Sequence, residues 1–368
     1  MAGGYSSVFE SAITSNWLMQ SLDDHRGERM AGAEQDDLEA RIRRSIDAYH
    51  EAAMVFAAVA LGLPDRLRSS AATAGELAAE LRLSAPYLHR FLRGLASLGI
   101  CEERPDGNFI LTPEGHCLAS GTDSNLREKA LVVVDQYWLP WLKLAHCLQT
   151  GKPSFPNIHD MPISDWRRAN PEQGALFQRY LAKEDLAQAN CIMEALGVFD
   201  ARTLASIGGG YGGLLIPFLF GFPDLQAVLF DTPETVKAAP PLLQVFGVAD
   251  QVRCVGGDIL TEIPVAADVY LLKGLLQQWA DVEARAILEN CRSAMPPAAK
   301  LLIIERLMPE RAADDPAAIM LDLHMMTITG GRARSLAEFE ALLSQAGLKR
   351  SKSTPTRSGL TIIEAVPA

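Results

Sequence analysis

Four short stretches of this 368-residue chain carry residues able to do chemistry, each in or after a strand-like run. The first, TLASIGGGYGGLL, puts glycines at 208, 209, 210 and 212 directly after an apolar run. Glycines there let the backbone turn tightly and approach a ligand closely. The second, LFDTPETV, places Asp231 23 residues after Gly208, where an acid can hold a ribose hydroxyl pair. The third, VGGDI, ends another run on Asp258 and Ile259, and DVYLLK ends a fourth on Lys273. The carboxyl ends of neighbouring strands converge on one crevice in an open α/β sheet, so Asp258 is within reach of an adenine amine there. Acids after two successive strands suit a nucleoside without phosphates, since a pyrophosphate favours bare backbone or basic surroundings. The glycines and Asp231 alone would also suit a nicotinamide dinucleotide, or a purely structural tight turn.

These residues need a sheet to hold them. From residue 203 on, short apolar runs at 203–207, 226–230, 252–255, 268–272, 300–305 and 360–365 alternate with helical segments. That rhythm predicts a mostly parallel sheet. Ahead of it, residues 123–195 read as aromatic-rich helices, including DQYWLPWLKLAHCLQTG and GALFQRYLAKEDLAQANCIMEALG. Residues 1–38 are polar and Gly-broken, and are expected to form a loosely ordered arm. Residues 40–68 predict one helix, apolar on most faces in its second half and ended by Gly62 and Pro64.

Residues 73–120 predict two helices and a hairpin. Thr73 and Glu76 form a capping-box pair for TAGELAAEL, and Ser84 precedes SAPYLHRFLRGLASLG. Pro105-Asp106-Gly107 supplies the turn of the hairpin. This winged helix-turn-helix pattern raises DNA binding as a rival function. The second helix carries Arg90 and Arg93 but is otherwise mostly apolar. A net charge of −11 and a pI near 5.2 also argue against a phosphate-binding surface. No apolar run is long enough to span a bilayer, and no signal peptide is visible, so a cytoplasmic protein without nucleic-acid or membrane partners is expected. The six cysteines (101, 117, 147, 191, 254 and 291) are scattered and read as free thiols. The seven histidines show no metal-ligand spacing, so no metal is expected.

The stretches GGGYGG, LFDTPETV, GVADQVRCVGGDI, DVYLLK, ILENCRSAMPPAAKLLIIERLMP and DLHMMTITGGRARSLAEFEALLSQAGL, in that order and spacing, resemble one family. It is the S-adenosylmethionine-dependent O-methyltransferases of the plant caffeate/flavonoid type and their bacterial natural-product relatives. The likeness covers residues 40–366 and implies a fold. A Rossmann-like class I methyltransferase domain, with a seven-stranded sheet and one antiparallel edge strand, would follow a helical, winged-helix dimerisation domain. The expected divisions are 1–38, 39–122, 123–195 and 196–368. A homodimer is implied, each subunit contributing to its partner's substrate pocket. By the same resemblance Gly208, Gly209 and Gly210 cradle S-adenosyl-L-methionine. Asp231 binds its ribose, Asp258 and Ile259 frame its adenine, and Lys273 lies near its sulfonium and carboxylate. Ser206 departs from the pattern, standing where relatives carry an acid.

A second departure concerns the chemistry itself. In LLKGLLQQWAD the family pattern has His-Asp-Trp, the His removing a phenol proton so that oxygen attacks the methyl group. Here Gln277 holds the His position and Gln278 the Asp position, while Trp279 is retained. Of the two glutamates that bracket that His in the family, Glu305 matches one and Ala333 replaces the other. Glutamine donates and accepts hydrogen bonds but is no base near neutral pH. A general base typically supplies about 10²–10⁴-fold, whereas proximity can be worth about 7–11 kcal/mol. Base-free members of the family exist in anthracycline tailoring, both a methyltransferase and a hydroxylase that keeps its cofactor's methyl. Methyl transfer to oxygen or carbon of a small aromatic or polyketide-like acceptor is therefore expected without the His route. The alternative is a non-methylating reaction that uses bound cofactor: hydroxylation, decarboxylation or a pericyclic step.

Gln277, Glu305 and His324 are the candidate catalytic residues, His324 as a replacement base. The candidate pocket wall is Trp138, Trp141, Phe155, His159, Phe177, Leu181, Gln278, Met325 and Met326. Aromatic and thioether surfaces of that kind adapt to flat rings, although the same stripe at helical spacing also reads as plain core.

Overall fold

The computed structural model describes residues 32–368, so residues 1–31 of the expected arm lie outside the described residues. Residues up to Val55 and residues from Phe56 onward form two separate compact units. Helix α1 (Gly32–Ala60) starts within the span read as an arm. In the first unit Leu38, Ile42, Ile46 and Tyr49 leave an exposed apolar stripe on it, spaced by three and four residues. The helix does not run on to residue 68 as the sequence suggested. Gly62 takes a left-handed conformation (φ 67°), and Pro64 opens a new helix, α2 (Leu63–Ser69). A proline is tolerated in a first turn because its missing N–H would be unpaired there anyway.

The next segment holds β1 (Ala72–Thr73), α3 (Ala74–Leu81), α4 (Ala85–Ser97), β2 (Cys101–Glu103) and β3 (Asn108–Leu111). The Thr73–Glu76 capping box forms as predicted. Ser84 stands at the N-cap of α4 but makes no side-chain cap bond. In the hairpin turn Asp106 Oδ1 accepts the Asn108 N–H at 3.0 Å. β1 joins this hairpin as a third, antiparallel strand.

Helices α5 (Leu126–Val132) and α6 (Trp138–Leu142) are joined by a single π-helical turn, Val133–Tyr137. Then come α7 (Leu144–Thr150), α8 (Ser154–His159), α9 (Ile163–Ala169) and the long α10 (Pro171–Leu196). The main sheet is built from β4 (Thr203–Ile207), β5 (Gln226–Asp231), β6 (Val252–Gly256), β7 (Val269–Lys273), β8 (Lys300–Glu305), β9 (Leu348–Pro355) and β10 (Thr361–Pro367). Helices α11 (Leu215–Gly221), α12 (Pro233–Ala238), α13 (Pro240–Val245), α14 (Asp281–Ala294), α15 (Pro316–Ile328) and α16 (Leu336–Gln345) connect these strands.

The strand order is β6-β5-β4-β7-β8-β10-β9. β4 to β8 pair in parallel, and β10 is antiparallel to both its neighbours. The antiparallel strand is therefore not the edge strand that the resemblance implied. β9 occupies the edge, and its sequence LKRSKSTP explains both its position and its absence from the hydrophobic pattern. A charged, largely exposed strand pairs on one side only and resists pairing with another chain. Both faces of the inner strands are covered. Ile207, Phe230, Leu272 and Ile303 pack with Ile287 and Phe339 on one face. Leu204, Leu229, Leu271 and Ile304 pack with Leu215 and Phe218 on the other.

The strand order reverses between the parallel neighbours β4 and β7, the place where an open α/β sheet leaves a crevice. Helix α10 is pressed against that crevice. A Cβ on Gly213 would stand 2.7 Å from the Ala182 carbonyl oxygen and 2.8 Å from its Cα. Gly213→Ala is expected to cost roughly 1–3 kcal/mol through this backbone clash. Gly75→Ala, in the first turn of α3, where a Cβ would meet only Thr73 Oγ1 at an ordinary 3.8 Å, is expected to be neutral or slightly stabilising. Urea denaturation of the two variants checks the pair; equal effects would contradict the close approach of α10.

Candidate functional site

Every acid and glycine singled out in the cofactor half sits at one edge of the sheet. Gly208 follows β4, Asp231 ends β5, Asp258 follows β6, Lys273 ends β7 and Glu305 ends β8. Gly208 and Gly210 adopt left-handed φ values of 63° and 58°. Asp231 holds the turn: its Oδ2 accepts the Gly210 N–H at 2.9 Å and its Oδ1 the Thr232 N–H at 2.7 Å. Burial pushes its carboxyl up, and these bonds oppose that. The glycines are needed for space as well as conformation. A Cβ on Gly209 would collide with Ser206 Oγ, and one on Gly208 would lie 2.8 Å from Leu275 Cδ1. Ser206, where an acid was expected, is buried beneath this turn.

Asp258 is exposed and caps its own turn, accepting from Leu260 N at 2.9 Å and Thr261 Oγ1 at 3.1 Å. Ile259 packs against the core, and its carbonyl accepts from Asn290 Nδ2. Lys273 Nζ forms a 2.7 Å ion pair with Asp185 Oδ1 on α10. Burial pushes the Asp185 carboxyl up, against the pull of Lys273. Asp185 and Gln178 were missed from sequence. Asp185 lies four and eight residues beyond Leu181 and Phe177, on one helix face, so the spacing did hold that signal. Gln178 Oε1 is buried without a hydrogen-bond partner, 2.5 Å from where a Gly210 Cβ would be. An orphaned acceptor above a glycine turn is what a bound donor group would relieve.

The glutamine stretch is a short 3₁₀ turn, Leu276–Gln278, held by its backbone. Glu305 Oε1 accepts the Gln277 N–H at 3.1 Å. The guanidinium of Arg334, 1% exposed, donates to the Leu276 and Trp279 carbonyls at 2.8 Å each and to Asp281. Gln278 Nε2 folds back onto the Gly274 carbonyl at 2.8 Å. A Cβ on Gly331 would collide with the Gln277 carbonyl oxygen, so the 330–334 loop lies directly on this turn. The Gln277 side chain is partly exposed and makes no hydrogen bond to a described residue.

Glu305 therefore fastens the loop's backbone rather than orienting a side chain at position 277. Its Oε2 is buried without a partner, and burial pushes its carboxyl up to about 7 against the pull of the Gln277 N–H and Arg334. His324 also differs from the expected replacement base. Its Nδ1 accepts the Trp141 indole N–H at 3.1 Å, which leaves the imidazole hydrogen on Nε2. Burial and the Arg167 guanidinium push it down to about 4. At neutral pH it is an uncharged donor with no free basic nitrogen.

The predicted wall residues divide. Trp141 stacks on His324, and Phe177 lies under the Arg167 guanidinium. Leu181 and Met326 are partly exposed. Phe155, 0% exposed, and Met325 are enclosed and back the wall rather than face open space. Phe155 is packed by Ile163 and Ile328. His159 lies against the rings of Phe155 and Trp166, 4.4 and 5.2 Å between centroids, and burial pushes its imidazole down. Trp138 packs edge-on against Phe56.

A family model for the O-methyltransferase domain matches residues 141–349, and one for the O-methyltransferase dimerisation domain matches residues 44–121. The chain belongs to the O-methyltransferase family. A phenazine O-methyltransferase of Lysobacter antibioticus is 34% identical over 331 residues, 90% of this chain and 96% of that protein. The solved structure of the mitomycin 7-O-methyltransferase MmcR is 30% identical with a TM-score of 0.84, covering 91% of this chain and 99% of that one. NcsB1, an O-methyltransferase from neocarzinostatin biosynthesis, is 27% identical with a TM-score of 0.74 over 86% of this chain and 96% of its own. It was solved with S-adenosylmethionine and 2-hydroxy-5-methyl naphthoic acid.

This O-methyltransferase takes S-adenosylmethionine as its cofactor, and its sheet edge suits that molecule. The glycine turn leaves no room for side chains, the orphaned Gln178 oxygen overhangs it, and two acids end adjacent strands. When bound, the cofactor supplies an electrophilic methyl group.

Asp231→Ala is expected to weaken S-adenosylhomocysteine binding by about 1–3 kcal/mol in calorimetric titration. Unchanged affinity would refute the ribose assignment. A second expectation concerns pH. Folded Glu305 keeps its proton up to about pH 7, against 4.5 for the ordinary carboxyl. Its contribution to stability is fully present below 4.5 and is lost as pH rises through 7. Between about pH 6 and 8 the parent should lose roughly 1 kcal/mol relative to Glu305→Gln, which cannot titrate. A constant stability difference across that range would refute the raised carboxyl.

Proposed function

We propose that the enzyme methylates an oxygen of a small aromatic or polyketide-like natural product by proximity and orientation, without a general base. The observation that supports this most is at Gln277. A neutral amide with no partner stands where a base would be needed, and the groups around it hold its backbone instead. In this reading the glycine turn, Asp231, Asp258, Ile259 and Lys273 hold the cofactor. The aromatic slot formed by Trp141, Phe177, Leu181 and Met326 holds the ring. Gln277 and Gln278 border the acceptor oxygen, and Glu305 keeps their turn rigid. The acceptor reaches the reactive state through its own acidity, as a phenol made electron-poor or hydrogen-bonded. Holding the reacting atoms in near-attack geometry can replace the missing base many times over.

The working unit in this reading is a homodimer with residues 39–122 as its pairing platform. The apolar stripe Leu38, Ile42, Ile46 and Tyr49 and the matched dimerisation model support it.

The deciding experiment follows methyl-labelled S-adenosylmethionine with hydroxyphenazine and hydroxynaphthoate acceptors. Label should appear in product in step with S-adenosylhomocysteine. An acceptor altered without S-adenosylhomocysteine formation would instead support a non-methylating reaction on the same scaffold. Gln277→Ala should keep kcat within about tenfold. Gln277→His should give little gain, since an unoriented imidazole is a poor base and Ala333 supplies no carboxylate. A loss above 100-fold in the first variant, or a large gain in the second, would overturn the base-free mechanism.

A further inference from the structure

Arg167, Tyr137 and His324 form a cluster that keeps hydrogen-bond donors with no acceptor among the described residues. Arg167, on α9, lies with its guanidinium carbon 3.3 Å from the centroid of the Phe177 ring. Its Nε donates to Gln136 Oε1 at 2.9 Å and its Nη2 to Tyr137 Oη at 3.0 Å. Nη1 has no partner, and no carboxylate pairs with this guanidinium among the described residues. Its exposed neighbour Arg168, by contrast, pairs with Asp165 at 2.9 Å. Burial disfavours the charge on Arg167, and only Tyr137 opposes that. A guanidinium nevertheless stays protonated, so it lacks a counter-ion.

Two more donors stand beside it. Tyr137 Oη accepts from Arg167, which leaves its own hydrogen without an acceptor among the described residues. The Tyr137 ring meets His324 edge-on at 4.5 Å, and His324 carries its hydrogen on Nε2 because Trp141 occupies Nδ1. Gln136 and Tyr137, which both accept from Arg167, are consecutive residues of the π-helical turn Val133–Tyr137. Such single wide turns are often found at functional sites.

The cluster adjoins the reacting groups through two helices. On α10, Phe177 under the guanidinium is followed by Gln178, whose oxygen overhangs Gly210. On α15, His324 precedes the Gly330–Gly331 loop that lies on the Gln277 turn.

We propose that Arg167, with Tyr137 and His324, binds a carboxylate carried by the aromatic acceptor and so selects acidic ring compounds and orients them. The proposal rests on the slot being the acceptor site. A carboxylate matches a guanidinium in shape and supplies the missing counter-charge. The two remaining donors can share its second oxygen. The attached ring lies flat in a slot walled by Trp141 and Phe177.

Binding tests this without turnover, so a failure of methyl transfer leaves the result readable. The chain saturated with S-adenosylhomocysteine is titrated calorimetrically with 1-hydroxy-2-naphthoate, phenazine-1-carboxylate and benzoate, each against its carboxamide. At least one acid is expected to bind tenfold or more tighter than its amide. Arg167→Met should bring the two within about twofold while S-adenosylhomocysteine affinity holds. If that variant does not fold, Arg167→Lys and Tyr137→Phe serve in its place, each narrowing the gap. Equal binding of acid and amide, no measurable binding of any acid, or a gap that survives the substitutions overturns the proposal.

Discussion

The turn at Leu276–Gln278 depends on two buried side chains, a carboxyl and a guanidinium. Glu305 holds an N–H of the turn, and Arg334 holds two of its carbonyls. Neither group reaches out with a charge. The carboxyl is buried deeply enough to keep a proton near neutrality, and the guanidinium is sealed against backbone oxygens and Asp281. A turn is left with unpaired peptide groups that must find partners, and here a side chain from the end of β8 and one from the loop before α16 supply them. The Gly330–Gly331 backbone then lies on the turn with no space for a side chain, and Leu275 packs over Gly208. The glycine cradle, the glutamine turn and the end of α15 are thereby set relative to one another. For a reaction that relies on orientation rather than on a base, that rigidity is the main requirement.

The clamp also changes how the lost His should be understood. In the family pattern that the sequence resembles, two glutamates orient an imidazole. Here the surviving glutamate bonds the peptide N–H of the residue that replaced it. The second position, Ala333, is 1% exposed and is held through its N–H by Asp322. Restoring a base would therefore require more than one substitution, because the ground around position 277 is organised for backbone bonding.

Helix α10 connects the two halves of the proposed site. Its close approach at Gly213 places Gln178 over the glycine turn and Asp185 against Lys273. One residue before Gln178, the ring of Phe177 carries the Arg167 guanidinium. A single helix thus spans from the glycine turn to a corner rich in donors. The charge of Lys273 is already met by Asp185, whereas among the described residues that of Arg167 is met only by neutral groups. That contrast is why the unsatisfied cation, and not the paired one, points to an acidic acceptor.

The sequence by itself determined the sheet, the glycine turn with its two acids, and the absence of a base at position 277. These are legible because they depend on residue type and spacing along a short segment: apolar runs make strands, and glycines after a strand make a tight turn. The polar edge strand β9 escaped, since it has no buried face to leave a hydrophobic pattern. The tertiary structure alone decided what each polar group faces. That His324 gives up its basic nitrogen to Trp141, 183 residues away, is a contact between distant segments. The same holds for Glu305 turning toward a backbone N–H, and for Arg167 meeting Gln136 and Tyr137. A side chain's protonation state and hydrogen-bond partners are set by neighbours that folding brings together, and local sequence carries no record of them.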